Sequence, residues 1–426
     1  MFTMGKGMRG GRIGRYRYNY TKKSYHTFWE FLMMDTNYLL YKIFRAIYFY
    51  LRRSVRIKTV AHLCRRKSID NVFFTILLIL ILLGSIMVYS SSGLYVDTRP
   101  KVAKSSTFFI FKHLLFVCLG AIILACVINI SYRMWSALSL PLLVFNTILL
   151  ILVLFLPAKR NVHRWINIWG FNLQPSEMAK LTVIVFISTY CDVYNRYIKS
   201  FSGLLPAIFV VLFLAGLVYK EPDFGSSVLL VAVTLILFFL AGAKVKHLLI
   251  LCVLFAVIGV IGVKTQEYRS ERLKIYTREE PYTQTSITKR ALASGGIFGR
   301  GLGRSEIKRH PIPDLQTDFI FSIIGEELGI VGTTFVVLLF LLYFYRGIWI
   351  GVHAPDFFSR LMVYGAVSLF TLQAFIHIGV NVGVLPAKGI PLPFISYGGS
   401  SLLVNIILSG IVLNISKFRE TKVKIP

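Results

Sequence analysis

The sequence predicts an all-α, polytopic membrane protein with ten transmembrane helices. Its 426 residues are 55% hydrophobic, and the mean hydropathy is +0.66 although the net charge is +29. A soluble globular protein does not combine these values. Apolar runs of about 20 residues, the length that crosses a bilayer, recur from residue 72 to the C-terminus. Composition and the spacing of these runs together give the fold class.

Each predicted helix is an apolar segment bounded by polar or helix-breaking residues. The fourth, fifth and sixth segments are short, so we expect them to be tilted or extended by their polar flanks. In chain order the ten segments are residues 72–91, 108–130, 136–156, 176–191, 203–219, 225–242, 247–263, 318–344, 360–385 and 398–416.

A basic extension precedes the membrane region. Residues 1–70 contain 16 lysines and arginines. The first part is rich in Gly, Arg and Tyr, which predicts disorder, and the second part predicts an amphipathic helix on an anionic membrane surface. A later methionine such as Met33 is an alternative start. The predicted organisation is this cytoplasmic extension, a ten-helix membrane domain over 71–416 and a basic cytoplasmic tail over 417–426.

The distribution of Lys and Arg in the short loops predicts the orientation. If the N-terminus is cytoplasmic, the basic short loops fall on the cytoplasmic side, and so does the C-terminus. The longest loop, residues 264–317, then lies outside, between the seventh and eighth helices. It carries eleven Lys and Arg against six acids, and a loop of this length can translocate regardless of charge. It is either a solvated basic loop or a positive field that collects an anionic substrate, such as a pyrophosphate-linked lipid.

The first candidate functional residues lie in RWINIWGFNLQPSEMAK, between the third and fourth helices. Arg164 and Trp165 open this stretch, and Glu177 and Lys180 lie three residues apart on one face of the following helix. Ionisable side chains at membrane level are either paired or functional. Glu177 and Lys180 therefore form a structural ion pair at the helix entry or belong to a polar site.

Asp318 lies where the long loop meets the eighth helix, in TDFIFSIIGEELG. A carboxylate at such a boundary is partly desolvated, which raises its pKa and makes it a better proton acceptor. The alternative role is a helix N-cap. Glu326, about two turns further along, and Asn381, in the ninth helix, are polar groups that must face protein or water.

The segment Gly379–Ser401, GVNVGVLPAKGIPLPFISYGGSS, cannot form one continuous helix, because it contains three prolines and several glycines. Broken backbone at membrane depth occurs only where it is buried in protein or lines a wet cavity. Because Lys388 and Ser396 lie in this segment, we expect a polar cavity near one face of the bilayer. Arg164, Lys180 and Lys388 are the predicted cationic partners of the eighth-helix acids or of a substrate phosphate.

The sequence predicts no metal site. The five cysteines are scattered without a CxxC pair, and the eight histidines are dispersed. Protein metal sites need several such ligands at close spacing. We expect the cysteines to be small buried hydrophobic residues.

Four motifs occur in the order RWINIWGFNLQPSEMAK, EPDFGSS, TDFIFSIIGEELG and GVLPAKGIPLPFISYGGSS. Together they resemble the SEDS family (shape, elongation, division, sporulation) over roughly residues 70–416. PAKG and the pattern GRGLG…IK…P…TDFIF look more like the FtsW branch, which acts in division, than the RodA branch, which acts in elongation. The long basic extension, the unusually basic outer loop and Ile287-Thr288, where many members have Gln-Ser, depart from the family.

The resemblance implies a peptidoglycan glycosyltransferase that polymerises lipid II on the outer face of the bacterial cytoplasmic membrane at the division septum. A RodA-like role in elongation is the alternative. The family's essential loop aspartate falls on Asp318. The other functional positions that the resemblance implies are Arg164, Trp165, Glu177, Lys180 and Lys388.

The resemblance also implies partners. They are a class B penicillin-binding protein with one membrane helix, other division proteins and membrane lipids, with no nucleic acid. No cofactor is expected other than, at most, a divalent cation such as Mg²⁺ or Mn²⁺.

Two other functional classes compete with the enzyme. A transporter that flips lipid II would also have ten spans with broken helices around a polar cavity. The predicted outer position of Asp318 favours chemistry on substrate that has already been flipped. A scaffold that only recruits a transpeptidase would leave Asp318, Glu177 and Lys388 unexplained as a set.

Overall fold

The computed structural model describes residues 68–98, 106–156, 164–168, 171–264, 283–309, 314–386 and 389–419, which are mostly helical. The predicted extension before residue 68, the tail after residue 419 and Lys388 lie outside the described residues. The helical fold class is confirmed, although the described residues also include a short antiparallel β-hairpin that the sequence did not predict.

The described residues form thirteen α-helices and one two-stranded hairpin, and a single 3-10 turn covers Ile307–Arg309. In chain order the elements are α1 (Asn71–Thr98), α2 (Ser106–Asn129), α3 (Arg133–Ala137), α4 (Ser139–Phe155), β1 (Ile166–Ile168), β2 (Phe171–Leu173), α5 (Pro175–Val193), α6 (Phe201–Lys220), α7 (Phe224–Leu240), α8 (Val245–Lys264), α9 (Gln284–Ser294), α10 (Leu315–Asp318), α11 (Ile320–Val352), α12 (Phe357–Val382) and α13 (Gly399–Ser416).

Six helices in the described part of the chain are long and apolar enough to cross a membrane, namely α1, α2, α6, α11, α12 and α13. Three shorter apolar helices, α4, α7 and α8, accompany them. Each of the ten predicted segments overlaps one of these nine helices or α5. The chain is a multi-pass membrane protein, and the count of ten spans stays a prediction.

The helix α5, which carries ionisable side chains, is mostly enclosed by other helices. Of its 19 residues, 16 are buried, including Glu177 and Lys180. It packs against α4, α7, α12 and α13. Because α5 is enclosed by other helices, it can carry ionisable side chains that a lipid-facing helix could not.

Two faces of the helix bundle can be told apart by the ends of the helices. Asp318, the start of α11 and the end of α12 lie at one face, here called the Asp318 face. At the opposite face, Asp70 precedes α1 and pairs with Arg346 of α11 and with Arg419, at N–O distances of 2.7 and 3.2 Å. Burial raises the pKa of Asp70, but the hydrogen bond and charge of Arg346 and the charge of Arg419 lower it overall.

The helix α11 is broken at Gly329, where φ is 68° and ψ is −162°. The loop 295–303, here called the glycine loop, satisfies the backbone groups that the break leaves without helical partners. The N–H groups of Ile330 and Val331 donate to the carbonyls of Gly296 and Ile297, at 3.0 and 3.2 Å. These glycines thus complete a membrane helix.

In the other direction, two N–H groups of the glycine loop donate to carbonyls on the first half of α11. They are the N–H groups of Arg300 and Gly301, which reach the carbonyls of Glu326 and Glu327 at 2.9 and 3.0 Å. The close approach requires glycine, because a Cβ at Gly299 would lie 2.1 Å from the Glu327 carbonyl oxygen. The loop and the first half of α11 are therefore joined through their backbones.

Candidate active site

Asp318 is the last residue of the short helix α10, one residue before α11 begins. Its side chain is half-buried. The N-cap residue of α11 is Phe319, and no side chain caps this helix. Asp318 is therefore not the N-cap residue of α11.

Asn381, near the end of α12, fixes the backbone around Asp318. Its side-chain nitrogen donates to the carbonyl of Asp318 at 3.1 Å and to the carbonyl of His377 at 2.8 Å. Its side-chain oxygen accepts from the N–H and the hydroxyl of Ser322, at 3.1 and 2.7 Å. Since the amide is fully buried and uses both ends, Asn381 holds the turn between α10 and α11 and does not point at a ligand.

Ser396 connects the broken segment to the same turn. Its hydroxyl donates to the carbonyl of Thr317 at 2.7 Å and accepts from the N–H of Leu392 at 2.9 Å. The next residue, Tyr397, donates its N–H to the carbonyl of Gln316 at 3.2 Å. The non-helical backbone between α12 and α13 is thus stabilised by α10, as irregular backbone at membrane depth requires.

The broken segment passes directly beside the Asp318 carboxylate. A Cβ at Gly389 would lie 3.4 Å from Oδ2 of Asp318, so any longer side chain at this position would crowd the carboxylate. The adjacent Lys388 lies outside the described residues, and its predicted role stays a prediction.

Glu177 and Lys180 form a buried ion pair at the start of α5. The Lys180 ammonium lies 2.6 Å from Oε1 of Glu177, and the side chains are 1% and 3% exposed. Of the two readings that the sequence left open, the contacts favour the structural ion pair, because the lysine is enclosed and already has a carboxylate partner. A phosphate would have to displace Glu177 to reach it.

Arg164 reaches across to the turn between α6 and α7. Its Nε donates to the carbonyl of Glu221 at 2.7 Å, and its Nη2 donates to the carbonyl of Pro222. The neighbouring Trp165 is half-buried before β1. Arg164 therefore ties the entry of the hairpin to this turn, at the same end of the bundle as Glu177.

The turn that Arg164 holds contains a second buried carboxyl group, Glu221, which is 0% exposed. Neither of its oxygens has a well-aligned hydrogen bond, and the nearby Ser176 hydroxyl is bonded to Asp223 at 3.3 Å. Burial and the charge of Asp223 raise the pKa of Glu221 to about 9, against smaller opposing effects of Arg164 and Ser176. Glu221 belongs to the EPDFGSS motif, but its burial has no signature in the sequence.

Asp223 itself is the N-cap of α7, since its Oδ1 accepts from the N–H of Ser226 at 3.1 Å. Two residues later, a Cβ at Gly225 would meet Ile390 at 2.8 Å. Ile390 follows Gly389, so the start of α7 abuts the part of the broken segment that passes Asp318. The turn with Glu221 and the Asp318 carboxylate therefore border one region of the Asp318 face.

The carboxylate of Glu326 binds the glycine loop and the residues that follow it. This carboxylate accepts from the hydroxyl of Ser305 and from the N–H groups of Glu306 and Ile307, at 2.9 and 3.2 Å for the two N–H groups. The guanidinium of Arg300 lies 3.7 Å away. These contacts hold the loop against α11.

The neighbouring Glu327 pairs with the buried ammonium of Lys308 and accepts from the hydroxyl of Ser90 at 2.6 Å. The cations that pair with the α11 acids are therefore Arg300 and Lys308, and not Arg164 or Lys180 as the sequence had suggested. In the sequence, the only sign of such an ion pair is the carboxylate at membrane depth. It shows that a cationic partner is needed but not which residue provides it. Ser90 carries no sequence signal at all, since it lies in an ordinary apolar segment.

Within the described residues, the predicted site residues form two groups, and Glu326 lies apart from both at the glycine loop. Asp318, Asn381 and Ser396 meet around the α10–α11 turn, and Glu177, Lys180, Arg164 and Trp165 lie around the start of α5 and its hairpin. No three His, Cys, Asp or Glu side chains of the described part of the chain are placed to hold a metal ion. We therefore derive no step through the divalent cation that the family resemblance allows.

A family described as cell cycle protein, which groups FtsW, RodA and SpoVE, matches residues 70–421. The chain belongs to this family. The match covers all the described helices and each motif that carried the SEDS resemblance, which is thereby confirmed.

Curated relatives of this FtsW/RodA/SpoVE chain match it over nearly their whole lengths. Stage V sporulation protein E of Bacillus subtilis is 36% identical over 364 residues, which are 83% of this chain and 98% of that protein. A probable peptidoglycan glycosyltransferase FtsW of Geobacter metallireducens is 35% identical over 364 residues, 82% of this chain and 96% of that protein.

Solved structures share the fold. A chain of a peptidoglycan synthase complex, whose structure concerns the coordination of polymerization and crosslinking, superposes with a TM-score of 0.68 at 24% identity. That match covers 83% of this chain and 99% of the other. RodA of Thermus thermophilus superposes with a TM-score of 0.62 at 24% identity, over 83% of this chain and 98% of RodA.

Proposed function

We propose that this protein is an FtsW-like peptidoglycan glycosyltransferase that polymerises lipid II, with Asp318 as its catalytic base. The single observation that carries the assignment of Asp318 is its placement. It is half-buried at the Asp318 face, its backbone is fixed by Asn381, and the broken segment passes beside its carboxylate without a side chain at Gly389.

The depth of Asp318 suits a substrate with a lipid anchor. The partly buried Arg346 pairs with Asp70 at the opposite face. The continuous second half of α11, from Arg346 back to Ile330, covers 16 residues or about 24 Å, most of the hydrocarbon thickness. Asp318 lies beyond the break at Gly329, toward the Asp318 face. Sugar rings attached to a membrane-bound pyrophosphate would lie at about this height.

The proposed reaction is one displacement at the anomeric carbon of the donor chain. The 4-hydroxyl oxygen of the acceptor sugar attacks that carbon, while the Asp318 carboxylate accepts the hydroxyl proton. The new glycosidic bond forms as the bond to the pyrophosphate oxygen breaks, and the electron pair leaves with undecaprenyl pyrophosphate. A single displacement inverts the configuration at this carbon.

Positive charge near the leaving group would stabilise the pyrophosphate that forms. Of the predicted cations, Arg164 is partly exposed and holds only backbone carbonyls. We assign Arg164 and Lys388 to the leaving group. Because Lys180 is enclosed with Glu177, we assign that pair to the support of α5.

Lipid II polymerisation by purified protein, with its partner transpeptidase, tests the proposal. We expect the wild type to make glycan, Asp318→Asn to make none despite normal membrane insertion, and Asp314→Asn, an exposed acid four residues earlier, to keep activity. Glycan from Asp318→Asn would refute the assignment of the base. Lipid II movement without glycan from the wild type would favour the flippase.

The proposed partner is a class B penicillin-binding protein with one membrane helix. A groove of about 570 Å³ lies between α9, α11 and α12, and small residues such as Gly325, Gly329 and Thr333 line it among apolar side chains. Small residues let another membrane helix approach closely. We expect a photo-crosslinker at Thr334 in this groove to capture the transpeptidase, and one at the exposed Val253 of α8 not to. The reverse result would place the interface elsewhere.

The proposed location is the cytoplasmic membrane at the division septum, with both termini in the cytoplasm. The greater similarity of the motifs to the FtsW branch supports division over elongation. A fluorescent fusion should gather at mid-cell before constriction, whereas a side-wall pattern would support the RodA-like role.

A further inference from the structure

The glycine loop exposes large apolar side chains that the proposed reaction does not use. Ile297, Phe298 and Leu302 are 62%, 81% and 56% exposed. Arg300 and Arg304 lie between and after them in the sequence, and Arg304 is exposed. An exposed Phe beside Ile and Leu is unusual in a water-facing loop. The combination of apolar side chains with arginines is typical of segments that lie in a membrane interface.

Two helices fix the depth of this loop independently. On α1, the N–H of Gly303 donates to the Ser90 hydroxyl at 3.1 Å. Ser90 lies 19 residues after Asn71, about 28 Å along a helix, which is close to the hydrocarbon thickness. On α11, the loop bonds to Ile330 and Val331, where the second half of the helix begins, 16 residues or about 24 Å from Arg346. Both measures place the glycine loop at the hydrocarbon boundary of the Asp318 face.

Backbone polar groups of the glycine loop are hydrogen-bonded within the protein, as an environment with little water requires. Carbonyls of Gly296 and Ile297 and N–H groups of Arg300 and Gly301 are bonded to α11. A loop in water needs no such partners, whereas in lipid each unsatisfied group costs several kcal/mol. Ile330, which the loop stabilises, is itself 61% exposed within a candidate membrane span, so this part of α11 lies at membrane depth.

We propose that the glycine loop is an interfacial membrane anchor. It inserts into the leaflet at the Asp318 face without spanning the bilayer. Ile297, Phe298 and Leu302 insert among the acyl chains, and Arg304 contacts lipid phosphates. The ligand is the phospholipid surface itself. The inference does not depend on the proposed glycosyltransferase activity, because it rests only on depth, exposure and backbone bonding.

A photo-crosslinker tests the contact. The full-length protein carries p-benzoylphenylalanine in place of Phe298 and is reconstituted in nanodiscs of phosphatidylethanolamine and phosphatidylglycerol. After irradiation, mass spectrometry counts phospholipid adducts. We expect a yield within a factor of about two of that at Ile122 of α2, because both side chains would then lie among acyl chains.

Two controls make the result decisive. The same probe at Ile122, which is 64% exposed in the candidate membrane span α2, reports lipid contact, and at the exposed Asn167 of β1 it reports a polar position outside the helices. A yield at Phe298 as low as at Asn167 would overturn the anchor. The experiment is repeated in native membranes, where capture of a protein in place of lipid at Phe298 would also overturn it.

A second measurement covers the case in which the probe perturbs the loop. Phe298→Trp keeps an interfacial aromatic side chain, and its fluorescence should be quenched by lipids brominated near the headgroup end of the acyl chain. Quenching above that of the wild type supports insertion. Quenching no greater than that of the wild type contradicts it.

Discussion

At the scale of single residues, Asn381 shows how the backbone around Asp318, the proposed catalytic base, is held. The carboxylate of Asp318 was identifiable from its motif and its place at the end of a loop. The residue that positions it was identifiable only as a polar group at membrane depth. Three of its four hydrogen bonds reach Asp318 and Ser322, and so depend on the turn between α10 and α11, which has no separate signature in the sequence.

We expect Asn381→Leu, which removes the amide and all of its hydrogen bonds, to lower polymerisation by about 10- to 100-fold. Buried groups left without partners cost about 1–3 kcal/mol, and each 1.4 kcal/mol corresponds to tenfold in rate. Gln373→Met is the matched control, since Gln373 is a buried amide on the same helix without a hydrogen bond among the described residues. Equal activities of the two variants would show that Asn381 does not position Asp318.

Glu221 gives a prediction about pH. Its pKa of about 9 in the folded protein lies above the ordinary value near 4.5, so the folded state binds the extra proton between these values. Stability should therefore fall as the pH rises through this window. We expect Glu221→Gln to remove this loss, so that its Tm advantage over the wild type grows from pH 5 to pH 8.

Thermal unfolding in detergent at pH 5, 6.5 and 8 measures the difference in Tm between Glu221→Gln and the wild type. A constant difference across the three values would mean that Glu221 does not retain its proton in the folded protein.

At the scale of elements, the break in α11 is the feature that the sequence least revealed. The apolar pattern of residues 318–344 predicts one unbroken helix. In the structure a short helix ends at Asp318, and Gly329 interrupts the long one. Helical periodicity does not show such a break, because the loop replaces the missing backbone bonds from elsewhere in the chain.

Two glycines of the loop offer a matched pair of substitutions. Gly299 and Gly303 both have φ of 80°, but a Cβ at Gly299 would meet the Glu327 carbonyl oxygen at 2.1 Å, whereas nothing lies within 4 Å of one at Gly303. We expect Gly303→Ala to cost about 1 kcal/mol through backbone strain alone. Gly299→Ala should cost clearly more, because the loop must separate from α11. Thermal unfolding and the monodisperse yield measure both, and equal losses would contradict the close packing.

At the scale of the whole molecule, the sequence predicted the helical architecture and the family well. Ten apolar segments overlap ten helices, because span length and hydropathy are set locally. Contacts between distant segments could not be predicted in the same way. The pairing of Lys308 with Glu327 joins a loop to a helix, and the burial of Glu221 depends on how α5, α6 and α7 meet.

The cluster at the opposite face also joins distant segments, since Asp70 contacts residues 276 and 349 positions away. Its pKa lies below the ordinary value, so its contribution to stability is present above about pH 4 and is lost as the pH falls through the folded-state value. We expect Asp70→Asn to lower Tm at pH 7, with a difference from the wild type that shrinks below pH 4. Equal Tm values at pH 7 would show that the cluster does not stabilise the fold.

The backbone bonds between the glycine loop and α11 have a consequence for biosynthesis. The loop precedes α11 in the chain, so it has already been translated when α11 enters the membrane. Its carbonyls and N–H groups are then available as hydrogen-bond partners as soon as Gly329 interrupts the helix. The peptide groups that the break exposes do not stay unpaired in lipid until a later segment is made. The order of these segments in the chain thus sets the order in which they assemble. A deletion in the loop would first impair the membrane insertion of α11.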